Sequence, residues 1–174
     1  MGATFLKCIQ DVETILNGIG ILICKEQYDI GSQAINMLKQ GQAVTTPYEN
    51  VNLWPSFFSG IEVISNRTTP CHLDRKLCFP VYDFLVSAGN HSEAWVHLPD
   101  IDTKLLYKPG TVTAICGKVL CHAVYKWDTG DWLCIAHFIR DLIHDRLGLP
   151  RPQWVTNKKY LEMMDTGFVA RQKL

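Results

Sequence analysis

The sequence predicts a mainly β domain of the α+β class, built as a small antiparallel barrel or jelly roll with flanking helices. First, short apolar segments after residue 56 are separated by turn signals such as Pro109-Gly110 and Gly117-Lys118. Second, apolar residues in the first 45 positions follow a helical spacing instead. Third, a length of 174 residues with 47% hydrophobic and 20% charged residues suits one globular domain with a buried core.

The N-terminal part, residues 1–45, is predicted to be helical. Apolar residues recur there at helical spacing: Val12, Ile15 and Leu16, then Ala34, Ile35 and Leu38 before Gly41. The following stretch, 45–56, predicts a loop.

Residues 56–150 carry the predicted strands. These cover 61–65, 93–99, 104–107, 111–116, 119–126 and 132–139, and several are rich in β-branched and aromatic residues. Residues 80–89 place Val81, Phe84 and Leu85 on one face and end in glycine, which predicts a short helix. Another helix is predicted over 140–148, followed by a C-terminal tail over 151–174. We expect a single domain over residues 1–174.

The charge balance disfavours tight, nonspecific binding to nucleic acid. Lys+Arg and Asp+Glu number 17 each, so the chain has no strong overall field. Local basic candidates are Arg67, Arg75, Lys76 and the Lys158-Lys159 pair. No apolar run reaches the length of roughly 18 residues that a membrane span needs, so a soluble protein without a membrane partner is expected. No protein partner is identifiable.

The seven cysteines form an odd set without the regular spacing of a disulfide framework. The first residues carry acidic side chains too early for a signal peptide. Both observations predict reduced thiols in an intracellular protein.

The segment Thr68–Asp74, TTPCHLD, ends in His72-Leu73-Asp74, which offers two metal ligands separated by one residue. A non-haem Fe(II) oxygenase needs two histidines and one carboxylate on one face of the metal. His122, in a later predicted strand, can return to the same end of a barrel and supply the third ligand. The residues therefore predict a metal site of His72, Asp74 and His122.

A structural zinc site is the first alternative. Cys116, Cys121 and His122 lie close together in the chain, and Cys71 and Cys78 flank His72. Structural zinc usually uses two tight cysteine pairs, and here the Cys-x4-Cys spacing has no clear matching pair. Nucleophilic cysteine chemistry is disfavoured too, because no Cys, His and acid set stands out.

Three stretches, SNRTTPCHLD, YKPGTVTAICGKVLCHAV and WDTGDWLCIAHFIRDLIHDRLG, resemble the oxygenase domain of the TET/JBP family, in particular its short fungal members. The resemblance covers roughly residues 56–150. It implies a double-stranded β-helix that holds Fe(II) through His72, Asp74 and His122 and uses 2-oxoglutarate. It also implies oxidation of a methylated base in DNA, 5-methylcytosine or N6-methyladenine, after the base is flipped out of the helix. A nuclear location would follow only from a DNA substrate.

The resemblance assigns roles to four further residues. Asn66 and Arg67 occupy the positions of a pair that shapes the cosubstrate and base pocket. Phe138 matches an aromatic residue that stacks on the flipped base, and Arg140 matches a polar residue at the base edge. Three of them also have a purely structural interpretation: a loop-bracing charge for Arg67, a core side chain for Phe138 and a solvent-facing helix start for Arg140.

Trp132 departs from the family pattern. The family reads Gly-Asp-Arg where this chain has Gly130-Asp131-Trp132, and that arginine binds the far carboxylate of 2-oxoglutarate. An indole offers one neutral donor in place of two charge-assisted bonds. Arg67 can replace the anchor, Trp132 can line a pocket for a less acidic cosubstrate, or the domain is catalytically degenerate and acts as a binding module.

Overall fold

The computed structural model describes residues 2–42 and 50–153. Its α-helices are α1 (Gly2–Cys8), α2 (Gln10–Ile23), α3 (Lys25–Lys39) and α4 (Asp141–Leu147). Its strands are β1 (Gly60–Ser65), β2 (Thr69–His72), β3 (Asp83–Gly89), β4 (Trp95–Leu98), β5 (Thr103–Leu106), β6 (Val112–Ile115), β7 (His122–Val124) and β8 (Trp132–Phe138). Short 3-10 turns cover Val51–Leu53 and Pro99–Ile101.

The strands form two four-stranded antiparallel sheets. One has the order β1-β8-β3-β6 and the other the order β2-β7-β4-β5. The chain passes repeatedly from one sheet to the other, so most neighbouring strands of a sheet are distant in sequence. This arrangement is a jelly-roll double-stranded β-helix with flanking helices, and the predicted fold class is confirmed.

Two hydrophobic clusters hold these layers together. The first joins the helices to the outer face of the first sheet and contains Leu16, Phe57, Phe58, Cys78, Val81, Phe84, Val86 and Ile139. The second lies between the two sheets and contains Ala94, Val96, Leu98, Tyr107, Ile115, Val124, Trp132 and Cys134. Strand β8 contributes only its even-numbered side chains to the second cluster, as the period of two in a strand requires.

A buried polar pair connects α2 to β8. Glu13 and His137 are 1% and 0% exposed, and Glu13 Oε1 lies 2.6 Å from His137 Nε2. His137 Nδ1 lies 3.3 Å from the carbonyl oxygen of Phe84 and 3.2 Å from that of Ile135. The odd-numbered position of His137 turns it towards the helices and away from the space between the sheets.

The helix predicted over 80–89 is wrong, because this segment contains strand β3. β3 pairs with β6 on one side and β8 on the other. Most of its residues are buried on both faces, so Phe84, Leu85 and Val86 follow one another without the alternation that marks a half-buried strand. Gly89 ends the strand at φ +109°, and a Cβ there would lie 2.1 Å from the carbonyl oxygen of Asp131.

The other predicted elements agree with the structure apart from their ends. The helical N-terminal part, the helix near 140–148 and the remaining strands are confirmed. The TTPCHLD segment is not simply a loop, because Thr69–His72 is a strand, and the strand predicted over 119–126 shrinks to His122–Val124. The structure does not describe residues 43–49 or the tail from 154 onwards. The Lys158-Lys159 pair belongs to that tail and therefore lies outside the described residues. The single domain stays a prediction.

No helix in the described ranges is long and apolar enough to cross a membrane.

Replacing Glu13 by alanine should lower the free energy of unfolding by about 3 kcal/mol, because it leaves the buried His137 Nε2 without its partner. Urea denaturation measures the change. Glu26→Ala is the matched control, since Glu26 is an exposed helical glutamate on α3. Equal effects of the two substitutions would contradict the role given to the buried pair.

Candidate metal centre

The pairing of β2 with β7 brings two histidines together. His72 is the last residue of β2 and His122 the first of β7, and the two are direct partners in the antiparallel register. Side chains of directly opposed residues lie on the same face of a sheet. The ring centroids of the two imidazoles are accordingly 4.3 Å apart.

Asp74 completes the set just beyond the end of β2. Its backbone N–H donates to the carbonyl oxygen of Gly117 at 2.9 Å, which fixes the turn. Its Oδ1 lies 3.6 Å from His72 Nε2, and its Oδ2 lies 3.5 Å from His122 Nε2. One ligand atom from each of the three residues lies within 4.8 Å of the others.

The hydrogen bonds of the two imidazoles set their tautomers. His72 Nδ1 lies 2.9 Å from the carbonyl oxygen of Pro70, and His122 Nδ1 lies 3.0 Å from that of Leu120. A carbonyl oxygen only accepts, so each Nδ1 donates and each Nε2 of the neutral ring presents its lone pair towards Asp74. Burial, with a smaller effect of the His72 charge, lowers the pKa of His122 and favours that neutral form.

This donor set fits Fe(II). Two imidazole lone pairs and a carboxylate facing one another without a cation repel, whereas a divalent metal between them is bound on one face. Among the described residues this is the group of His, Cys, Asp and Glu side chains that can hold a metal ion. The cysteines of the zinc alternative do not join it, because Cys121 is disulfide-bonded and Cys116 lies outside the group.

A second buried carboxyl group, Asp83, lies behind Asp74. The N–H of Gly117 donates to Asp83 Oδ2 at 3.1 Å. Burial and, second, the Asp74 charge raise the pKa of Asp83 to about 8. A Cβ on Gly117 would lie 2.7 Å from both Asp74 Oδ2 and Asp83 Oδ2, so the absence of a side chain at this position allows the two carboxyl groups to approach.

A disulfide joins Cys71 to Cys121, with their Cα atoms 5.9 Å apart. The prediction that all thiols are reduced is therefore wrong. The two cysteines are 50 residues apart and meet only because β2 pairs with β7, which no local spacing reveals. Each cysteine directly precedes a candidate ligand, so the disulfide connects the two strands at the candidate metal centre itself.

The three candidate ligands line a cavity of about 430 Å³ between the sheets. Buried side chains form its inner wall, among them Val96, Tyr107, Trp132 and Cys134. Exposed charged side chains surround its mouth: Glu62, Arg67, Arg75, Lys76 and Arg140. The cavity is within the size range of small-molecule sites.

Trp132 belongs to the inner wall and is 1% exposed. Its indole stacks on Trp127 with the ring centroids 5.5 Å apart and 23° between the planes. Its Nε1–H is buried and has no hydrogen-bond acceptor among the described residues. The position therefore offers a neutral, unused donor.

Asn66 and Arg67 have different surroundings. Asn66 Oδ1 accepts from the Trp132 N–H at 2.8 Å, and its Nδ2 donates to Asp131 Oδ1 at 2.7 Å, so its side chain holds the ends of β1 and β8 together. It does not line the cavity. Arg67 lines the mouth, where its side chain is 64% exposed and its Nη2 lies 3.8 Å from Glu62 Oε1.

Phe138 and Arg140 lie together at the mouth. The Arg140 guanidinium carbon lies 5.1 Å from the centroid of the Phe138 ring, and both residues line the cavity. Sequence reasoning missed Asp83, Tyr107 and Gly117. The sequence did contain a signal for Asp83, since an acidic residue stands at the start of the apolar residues of β3.

One solved structure is similar over most of the described chain, and two others are similar over less than half of it. The structure described as NgTET1 in complex with 5mC DNA is 16% identical, with 90% of this chain and 56% of that chain covered and a TM-score of 0.56. An RmlC-like cupin protein from Desulfovibrio desulfuricans is 13% identical, with 44% of this chain and 71% of that chain covered and a TM-score of 0.31. A cupin protein from Bacteroides fragilis is 11% identical, with 45% and 64% covered and a TM-score of 0.30.

The chain thus spans little more than half of the NgTET1 chain. No protein-family model matches the sequence, and no curated protein matches it. At 16% identity the likeness to NgTET1 shows a shared, TET-like fold.

Replacing Gly117 by alanine should weaken binding of Fe(II) by about tenfold or more, because the added Cβ needs the space between Asp74 and Asp83. Anaerobic titration of the metal measures this. Gly18→Ala is the matched control, since a Cβ at that helical position meets nothing within 4 Å. Unchanged affinity in Gly117→Ala would contradict the packing described.

Replacing Cys71 and Cys121 together by serine should lower the free energy of unfolding by up to about 4 kcal/mol, since the disulfide closes a loop of 50 residues. It should also weaken metal binding, because the joined strands carry both histidines. Urea denaturation and metal titration test these effects, with the exposed free Cys8→Ser as control. Alkylation of both thiols in unreduced native protein would show that the disulfide does not form.

Proposed function

We propose that the protein is an Fe(II)-dependent dioxygenase that uses a 2-oxo acid cosubstrate to oxidise a methylated base in DNA. The observation that carries the proposal is the convergence of His72, Asp74 and His122 on one position at the wall of a cavity inside a double-stranded β-helix. The NgTET1 structure contains 5mC DNA and shares the fold, which supports DNA as the substrate class.

Bound Fe(II) supplies the activation of dioxygen that C–H oxidation requires, with the 2-oxo acid as the source of two electrons. His72, Asp74 and His122 would hold the ion, and three protein ligands would leave coordination positions available for small ligands. The hydrogen bonds to Pro70 and Leu120 keep both imidazoles oriented. The buried inner wall keeps bulk water away from the reacting groups.

The mouth of the cavity suits a base that has left the helical stack. A methyl group on a stacked base cannot reach a buried metal, so the nucleotide is flipped out at a cost of a few kcal/mol. Phe138 supplies an aromatic surface and Arg140 supplies donors for the base edge. The base is 5-methylcytosine or N6-methyladenine, and the first is the one to test first because NgTET1 was solved with 5mC DNA.

The charges at the mouth support an anionic polymer as the partner. Four basic side chains line the cavity, Arg67, Arg75, Lys76 and Arg140, while Glu62 is the acidic lining residue besides Asp74. The 174-residue sequence has a formal net charge of zero, so the excess of basic side chains at the mouth does not reflect a basic chain overall. Basic side chains contact phosphates and orient the duplex. A nuclear location depends on this substrate and stays a prediction.

The test is oxidation of a duplex and a single-stranded oligonucleotide carrying one 5-methylcytosine, with Fe(II), a 2-oxo acid and dioxygen. Mass spectrometry should detect the hydroxymethyl product with the wild type, and Asp74→Ala should lose both Fe(II) binding and product. Asp29→Ala, an exposed aspartate of α3, is the control. Oligonucleotides with N6-methyladenine extend the same assay.

Two results would contradict the proposal. Activity that survives Asp74→Ala would show that the metal assignment is wrong. A wild type that binds Fe(II) and DNA but forms no product with any 2-oxo acid would instead support the binding-module interpretation.

A further inference from the structure

We infer that the 2-oxo acid bound at this site carries an uncharged hydrogen-bond acceptor at its far end, where 2-oxoglutarate carries a second carboxylate. This inference rests on the proposed function, because it concerns the cosubstrate of the same metal site. It is carried by the inner wall of the cavity and by one unused donor in that wall.

The inner wall next to the metal ligands is neutral. Trp132, Tyr107 and Val96 are each 1% exposed, and Cys134 is 4% exposed. A carboxylate moved from water into such surroundings loses its hydration, and the described basic residues that line the cavity are exposed ones that do not compensate for that loss. 2-Oxoglutarate therefore does not fit this wall at its far end, whereas an uncharged group does.

The indole of Trp132 provides the specific contact. Its ring stacks on Trp127. Two hydrogen bonds join the backbone of Trp132 to Asn66 and fix the position of the residue. Its Nε1–H has no acceptor within residues 2–42 and 50–153, and a buried donor without a partner destabilises the site. A carbonyl, ester or amide oxygen of a ligand would satisfy it, while Tyr107 already has a partner in Cys134 Sγ at 3.4 Å.

The arginine and lysine side chains that line the cavity lie at its mouth and not at its inner wall. Arg67, Arg75, Lys76 and Arg140 are all exposed residues of the mouth. Arg67 is already close to Glu62, and Arg140 lies over the Phe138 ring. Solvent screens such charges, so they suit phosphates outside the cavity better than a carboxylate at the inner wall.

The experiment compares three ligands that share the metal-chelating end. They are 2-oxoglutarate, its 5-methyl ester, and 5-methyl-2-oxohexanoate, which has the same chain length and no acceptor at its far end. Each is titrated anaerobically into the Fe(II)-loaded protein, and the visible charge-transfer band of the 2-oxo acid chelate reports binding without turnover. The ester should bind about tenfold more tightly than 2-oxoglutarate, or better.

A conservative variant tests the indole donor. Trp132→Phe keeps an aromatic ring in the core and removes the N–H, so it should weaken ester binding about fivefold and leave 5-methyl-2-oxohexanoate within about twofold. Thermal melting and Fe(II) titration verify that the variant is folded and binds metal. Trp95→Phe is the matched control, because Trp95 donates to Glu93 and does not line the cavity.

The outcomes separate this inference from the function it rests on. If 2-oxoglutarate binds as tightly as the ester or more tightly, the inference is wrong and the proposed oxygenase stands. If the ester is preferred but Trp132→Phe leaves its affinity unchanged, the assignment of the donor to Trp132 is wrong. If Fe(II) binds and none of the three ligands gives a band, the 2-oxo acid function itself is overturned.

Discussion

The antiparallel pairing of β2 with β7 is the interaction on which the candidate site depends. It sets His72 opposite His122, and the disulfide from Cys71 to Cys121 joins the same two strands next to both rings. Asp74 follows at the end of β2, where a hydrogen bond to the Gly117 carbonyl holds its turn. A slip of one residue in this register would turn a histidine to the opposite face of the sheet, and the three ligands would no longer share one position.

The two faces of strand β8 belong to two different packed layers, one between the sheets and one between the first sheet and the helices. Its even-numbered side chains, Trp132 and Cys134 among them, face the cavity. The odd-numbered His137 faces the helices and bonds to Glu13. The candidate metal centre is thus enclosed by one packed layer between the sheets, while a second layer of helices stabilises the outer face. The period of two in a strand produces this division without any change of backbone conformation.

The cavity also has two chemically different regions. Basic residues such as Arg75 and Arg140 surround its mouth, and neutral residues form its inner wall. In the function proposed above, the first region would attract an anionic polymer and the second would accommodate an uncharged group. Because the 174-residue sequence has no net charge, the proposed recognition relies on the basic side chains at this opening. The neutral indole of Trp132 in the inner wall is the basis of the cosubstrate inferred above.

By itself the sequence determined the mainly β class, since turn signals are local patterns, and the His-x-Asp spacing predicted His72 and Asp74 as metal ligands. His122, 50 residues after His72, was predicted from its place in a later strand and from the family resemblance. It misjudged β3, because burial on both faces removes the periodicity that distinguishes a strand from a helix. Only the tertiary structure decided the Cys71–Cys121 disulfide, the approach of Asp83 to Asp74 and the unused donor of Trp132. Each depends on contacts between residues far apart in the chain, and such contacts exist only when register and packing bring the strands together.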